Sequence, residues 1–193
     1  MENTGSFRLV GSVATAAEAI AAAQQHQPDL IVLDLVLGSV NGLELIPELL
    51  AIVQNACIVV YSTLDEKLYA PRAFAAGARG YVAKQTGLLS LLGALQSVAS
   101  GTAYASDSVK VALLENSIKA KTGPAALGME SLSDRELYVF RMVGSGLALS
   151  AIAAQLGVSP KTVSTYRERI KNKLGFQSGR DLDNAAEQFF LSA

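Results

Sequence analysis

The sequence predicts an α/β domain built on a parallel sheet, followed by a small all-α domain. Three observations predict it. Short apolar runs alternate with helix-forming stretches from Phe7 to Gly101. One of those runs, Leu30 to Leu37, is almost continuously apolar, which suits a strand covered on both faces. Beyond Ser131 only helical periodicity remains, and it opens with Ser133 and Glu136 at capping-box spacing. The 193 residues fit one large domain or two small ones.

Composition narrows the function classes. Half the residues are hydrophobic and mean hydropathy is positive, while aromatics are few and Trp is absent. The core is therefore expected to be Ala, Leu, Val and Ile. The net charge is −1, but residues 1–124 carry 8 basic and 10 acidic groups, whereas residues 125–193 carry 8 and 7. Much of the later positive charge falls in one stretch. A single cysteine, Cys57, excludes an intrachain disulfide and a multi-cysteine metal site, and its apolar setting reads as a buried thiol. The lone histidine, His26, lies at a helix end and reads as a surface capping residue. No apolar run approaches the ~18 residues of a membrane span, and the N-terminus lacks a signal pattern, so a cytoplasmic protein without a membrane partner is expected.

In chain order, residues 7–13 read as a short strand and the Ala-rich stretch Ala14 to Gln25 as a helix. Pro28-Asp29 breaks the chain ahead of the apolar strand Leu30 to Leu37. Gly42 to Val53 reads as a helix, Ala56 to Tyr61 as a strand, and Leu68 to Ala76 as a helix. Gly80 to Ala83 is a brief strand, and Leu88 to Ser100 a helix ended by Gly101. This alternation implies a right-handed, doubly wound sheet, whose chemistry belongs at the carboxyl ends of the strands. Asp34, Ser62 and Lys84 fall there. Each alone is an ordinary strand-end or capping group. Together, a carboxylate nucleophile with a hydroxyl and an ammonium beside it could hold a phosphoryl group.

Thr102 to Met129 reads as a linker with a helical fragment, Ser108 to Ala120, and a flexible break at Thr122-Gly-Pro-Ala. The capping box then starts a helix carrying Leu137, Val139, Phe140 and Val143. A short helix from Ser150 to Leu156 follows, and Gly157 turns into the stretch Ser159 to Gly175. Ser159 suits the N-cap, Pro160 the first turn and Gly175 the left-handed C-terminal position. Val163, Tyr166, Ile170 and Leu174 make one inward face. From Lys161 to Lys173 there are five Lys or Arg against one acid, Glu168. A solvated surface helix would show the same stripe. The short helix and tight Gly turn before it decide for a helix-turn-helix. A fourth helix, Asp181 to Leu191, closes the domain.

The first half resembles the receiver domain of two-component response regulators in Pro28-Asp29-Leu30-Ile31-Val32-Leu33-Asp34-Leu35, Asn41-Gly42-Leu43-Glu44, Val60-Tyr61-Ser62 and Ala76 to Lys84. The resemblance covers residues 7–101 and implies a flavodoxin-like fold. It makes Asp34 the phosphoacceptor, Ser62 and Tyr81 the switch hydroxyl and aromatic, and Lys84 the phosphate-binding lysine. Receivers normally begin with a further strand and helix, the strand ending in two acids that bind Mg²⁺. Here six residues precede Phe7, Glu2 is their only acid, and Gly38 stands where a proline is usual. A truncated receiver is therefore expected, with residues 7–13 pairing against residues 30–37 or an edge left for another chain. Asp34 and the Val36 carbonyl alone would hold Mg²⁺ weakly, so no cofactor is required and phosphorylation is expected to be weakened or lost.

The second half resembles the LuxR-type helix-turn-helix in Leu132 to Glu136, Gly144 to Leu147, Ile152 to Leu156, Val158 to Val163 and Lys173-Leu174-Gly175. That resemblance, over residues 130–190, places Lys161, Thr162, Ser164, Thr165, Arg167 and Glu168 nearest DNA. Lys161, Thr162 and Arg167 are assigned mainly to phosphates, and Ser164, Thr165 and Glu168 to base edges. Val163 and Tyr166 are assigned to the core, and the fourth helix to dimerisation. The reading is a non-enzymatic transcription regulator of the NarL/FixJ class in three parts: a receiver over residues 1–101, a linker over 102–129 and a helix-turn-helix over 130–193. Its expected partners are double-stranded DNA, a sensor histidine kinase and a second copy. The alternative is a degenerate receiver serving as a phosphorylation-independent interaction and dimerisation module.

Overall fold

The computed structural model describes residues 7–38, 40–122 and 128–191, and the side chains within 7–38, 40–115 and 128–190. Glu2 and the break at residues 123–125 lie outside them. The chain divides into two units, residues 1–113 and 114–193, at a point within the helical part of the stretch read as linker.

In the first unit, β1 (Leu30–Leu33), β4 (Cys57–Ser62) and β5 (Gly80–Ala83) form a parallel sheet in the order β1-β4-β5. Leu33 sits beside Val60 and Ser62 beside Ala83, which brings the strands' carboxyl ends to one side. Four helices alternate with these strands: α1 (Ala16–His26), α2 (Gly42–Ile52), α3 (Glu66–Ala75) and α4 (Leu88–Ala99). The sheet face of Val59 and Val82 packs on Ala94, Leu95 and Val98 of α4. On the opposite face Ile58, Val60 and Tyr81 are likewise buried.

The apolar run read as one strand ends at Leu33. Val36–Leu37 (β2) and Val40–Asn41 (β3) instead form a small antiparallel hairpin with Gly38 at φ 56°. Gly42 then returns close enough to donate to the Leu35 carbonyl at 3.3 Å. A Cβ there would strike the Leu35 backbone, so this turn excludes every other residue.

Residues 7–13 form no strand, contrary to expectation. Strand geometry persists only where a neighbour supplies hydrogen bonds, and among the described residues none pairs with this segment. Phe7, Leu9, Val10 and Val13 stay exposed, and among the described residues no strand pairs with the outer edge of β1, where Val32 is also exposed. At the other edge Tyr104, read as linker, bridges to Gly80 and accepts from the Tyr81 amide at 3.2 Å. The first turn of α5 (Asp107–Thr122) is anchored through Ser106 and Ser108, whose hydroxyls both donate to Glu66.

The second unit holds α6 (Asp134–Gly144), α7 (Leu149–Leu156), α8 (Pro160–Leu174) and α9 (Gly179–Leu191). The capping box forms as read: the Glu136 amide donates to Ser133 Oγ, and the Ser133 amide to Glu136 Oε2. Phe140, Ile152, Val163, Ile170 and Leu182 are fully buried and draw the four helices onto one core.

Candidate phosphoryl site and nucleic-acid interface

Asp34 directly follows β1, Ser62 ends β4, and Lys84 directly follows β5. The parallel sheet therefore gathers all three residues at its carboxyl end, although Asp34 and Lys84 are fifty positions apart in sequence. Lys84 Nζ lies 2.5 Å from Asp34 Oδ2, and the other carboxylate oxygen accepts from the Val36 amide at 3.0 Å. Lys84 also sits over the Tyr61 ring, 5.7 Å from its centroid. Ser62 is sealed from solvent, and its hydroxyl accepts from the Leu64 amide at 3.4 Å. Tyr81 points inward and donates to the Leu64 carbonyl at 2.9 Å. Burial pushes its phenol well above the ordinary value, so it acts only as a neutral donor. Asp34 and Lys84 thus meet directly, while Ser62 and Tyr81 both end on Leu64, a backbone junction that no side-chain pattern announces.

Among the described residues no three His, Cys, Asp or Glu cluster, and both Asp34 oxygens already accept hydrogen bonds.

The other site is α8. Ser159 Oγ accepts from the Thr162 amide at 3.1 Å, Pro160 opens the helix, and Gly175 closes it at φ 73°. Val163 and Ile170 are fully buried, which aims the opposite side outward. Lys161, Ser164, Thr165, Glu168 and Arg169 are exposed there, and Thr162 is half-buried. The Ser164 and Thr165 hydroxyls donate back to the Pro160 and Lys161 carbonyls, so their free lone pairs face out as acceptors. Glu168 pairs with Lys171 at 2.6 Å. Tyr166, assigned to the core, is half-buried and lines a shallow cleft with Ser159, Lys161, Thr162, Thr165 and Arg169.

Arg167 is placed differently from its neighbours. Its Nη2 lies 2.6 Å from Asp183 Oδ1 of α9, and its side chain is 21% exposed. Lys173 reaches back to α6, donating to Glu136 Oε2 at 2.6 Å and to the Ser131 carbonyl at 3.0 Å. Burial raises the Glu136 carboxyl, but hydrogen bonds from Lys173 and Ser133 outweigh it and hold the group below 4.5. Neither pairing was visible in sequence, because the partners are 16 and 37 residues apart and meet only across helices.

Comparison with known proteins matches both halves of the chain. Residues 2–96 match the response regulator receiver domain, and residues 130–184 the bacterial regulatory proteins of the luxR family. The chain is similar to a nitrate/nitrite response regulator protein homolog of Haemophilus influenzae, 34% identical over 92% of this chain and 83% of that one. The chain belongs to the LuxR-family response regulators. It is also 30% identical to the Pseudomonas aeruginosa response regulator GacA, over 91% of this chain and 81% of that protein. Its fold is shared with the Salmonella typhimurium response regulator RcsB, at a TM-score of 0.72 and 22% identity over 94% of this chain and 84% of RcsB. As a LuxR-family response regulator it is a DNA-binding transcription regulator of a two-component system, a family of regulators, not enzymes. None of its described helices is long and apolar enough to cross a membrane.

Proposed function

We propose that this response regulator reads a specific operator through Ser164, Thr165 and Glu168, while Lys161 and Thr162 hold the register on phosphates. The observation that carries this is the division of α8: Val163 and Ile170 lie in the core, and a polar, cationic face is left outside. Acceptors at three positions suit base edges that offer amines, cytosine N4 or adenine N6. Bound as a homodimer through α9, two such helices would meet half-sites about one turn apart. In the receiver, Asp34 is the phosphoacceptor, Ser62, Tyr81 and Lys84 relay its state, and a sensor histidine kinase is the donor. Its Mg²⁺-dependent phosphorylation is weak; what supports this is that no three His, Cys, Asp or Glu cluster among the described residues and that both Asp34 oxygens already accept hydrogen bonds.

The test is selection from a genomic DNA library, followed by binding of the enriched duplex across salt concentration. Enrichment of one sequence with affinity falling as salt rises is expected. No enrichment and no salt dependence would defeat the reading. Glu168→Ala should relax preference at one base pair by about 1–3 kcal/mol, measured by competition between duplexes.

The second reading, a receiver acting chiefly as a phosphorylation-independent interaction and dimerisation module, is favoured by one observation. Leu88, Leu89 and Leu92 of α4 are all exposed. DNA affinity that tracks self-association and ignores Asp34→Ala would support it.

A further inference from the structure

We propose that Arg167 is a positioning residue that fixes α8 against α9, and that phosphate contact beside Lys161 falls to Arg169. The inference rests on the DNA-binding reading of α8. It reassigns Arg167, which side-chain type alone places on a phosphate.

Helical geometry supplies the first argument. At about 100° per residue, Arg167 leaves the helix only some 40° from Val163, which is fully buried, whereas Arg169 leaves some 120° away. Arg167 therefore emerges at the border of the core and Arg169 on the open face. Bonding supplies the second. The Arg167 guanidinium donates to Asp183 Oδ1 at 2.6 Å and to the Gly179 carbonyl at 3.4 Å, both in the first half of α9. Both bonds come from Nη2, so two of the five N–H donors are committed to α9 and hold the guanidinium against that helix. Arg169 is exposed and lines one shallow cleft with Lys161, Thr162, Thr165 and Tyr166. Two cations with hydroxyls and a phenol between them suit a phosphate backbone.

Arg167 thereby sets the angle at which α8 is presented. Lys173 holds the far end of the helix to α6, and Arg167 holds its middle to α9.

The two roles separate in the salt dependence of binding to the enriched duplex, measured with the full chain. Arg169→Ala should reduce the slope of log affinity against log salt by about 0.9, one phosphate contact. Arg167→Ala should lower affinity roughly tenfold, the scale of a lost charge-assisted hydrogen bond, with the slope unchanged. Asp183→Asn keeps the side-chain volume and should reproduce that loss. The double variant should bind no worse than either single one, because the two residues act as a unit. Thermal unfolding of the same variants should show matching coupling between positions 167 and 183. The proposal is overturned if Arg167→Ala reduces the slope by about 0.9 while Asp183→Asn binds as well as the unaltered chain or better. An unchanged slope in Arg169→Ala overturns the assignment of Arg169. Failure of the unaltered chain to bind any duplex would instead defeat the DNA-binding reading beneath it.

Discussion

Glu136 is a carboxylate sealed into a helical core, its side chain 4% exposed, and it stays ionised because Lys173 and the Ser133 amide both donate to it. Its pKa lies lower in the folded chain than in the unfolded one, so the unfolded state binds the proton more readily. The stability it contributes is fully present above the ordinary 4.5 and is lost as pH falls through the lowered folded value. Glu136→Gln should cost about 1.5–3 kcal/mol near neutral pH, read from thermal unfolding. The same substitution should flatten the loss of stability on acidification, since its amide does not titrate. Asp34, Ser62 and Lys84 were legible as a set because strand ends of a parallel sheet converge. The Arg167–Asp183 pair was not, since nothing in helical spacing reports which residues of different helices meet.

At the scale of elements, α8 was legible from end to end. Ser159, Pro160 and Gly175 cap it as read, because caps are local and depend on a few consecutive residues. What a helix crosses is not local. Gly144 ends α6 where α9 passes so close that a Cβ would lie 2.5 Å from the Ala186 carbonyl oxygen. Phe140, Phe189 and Phe190 pack beside this crossing in tilted and edge-to-face pairs, with centroids 4.9–6.4 Å apart. Gly144→Val should therefore force α6 and α9 apart and cost about 1–3 kcal/mol, seen as a lower denaturation midpoint. The segment 7–13 shows the opposite failure. Its apolar composition marks a strand, but a strand is a relation between two segments, and composition names only one of them.

At the scale of the whole molecule, the receiver and the helix-turn-helix make separate predictions. Incubation with acetyl phosphate and Mg²⁺ should leave most of the chain without a phosphoryl mass increment on Asp34, checked by intact mass and by the Asp34→Asn variant. Full stoichiometric phosphorylation would sink the idea of a weakened receiver. Sedimentation at tens of micromolar should show a dimer, and a persistent monomer would remove the two-half-site geometry.

The sequence by itself determined the helices of the second half, their caps, the identity of the strand-end residues and the family. Each of these rests on local spacing or on residue type. Only the tertiary structure decided that Lys84 rests on Asp34 while Ser62 and Tyr81 turn to Leu64, that residues 7–13 find no partner strand, and that Arg167 belongs to α9. Those outcomes depend on which surfaces meet. Packing and hydrogen-bond satisfaction choose among many meetings that the same local pattern allows.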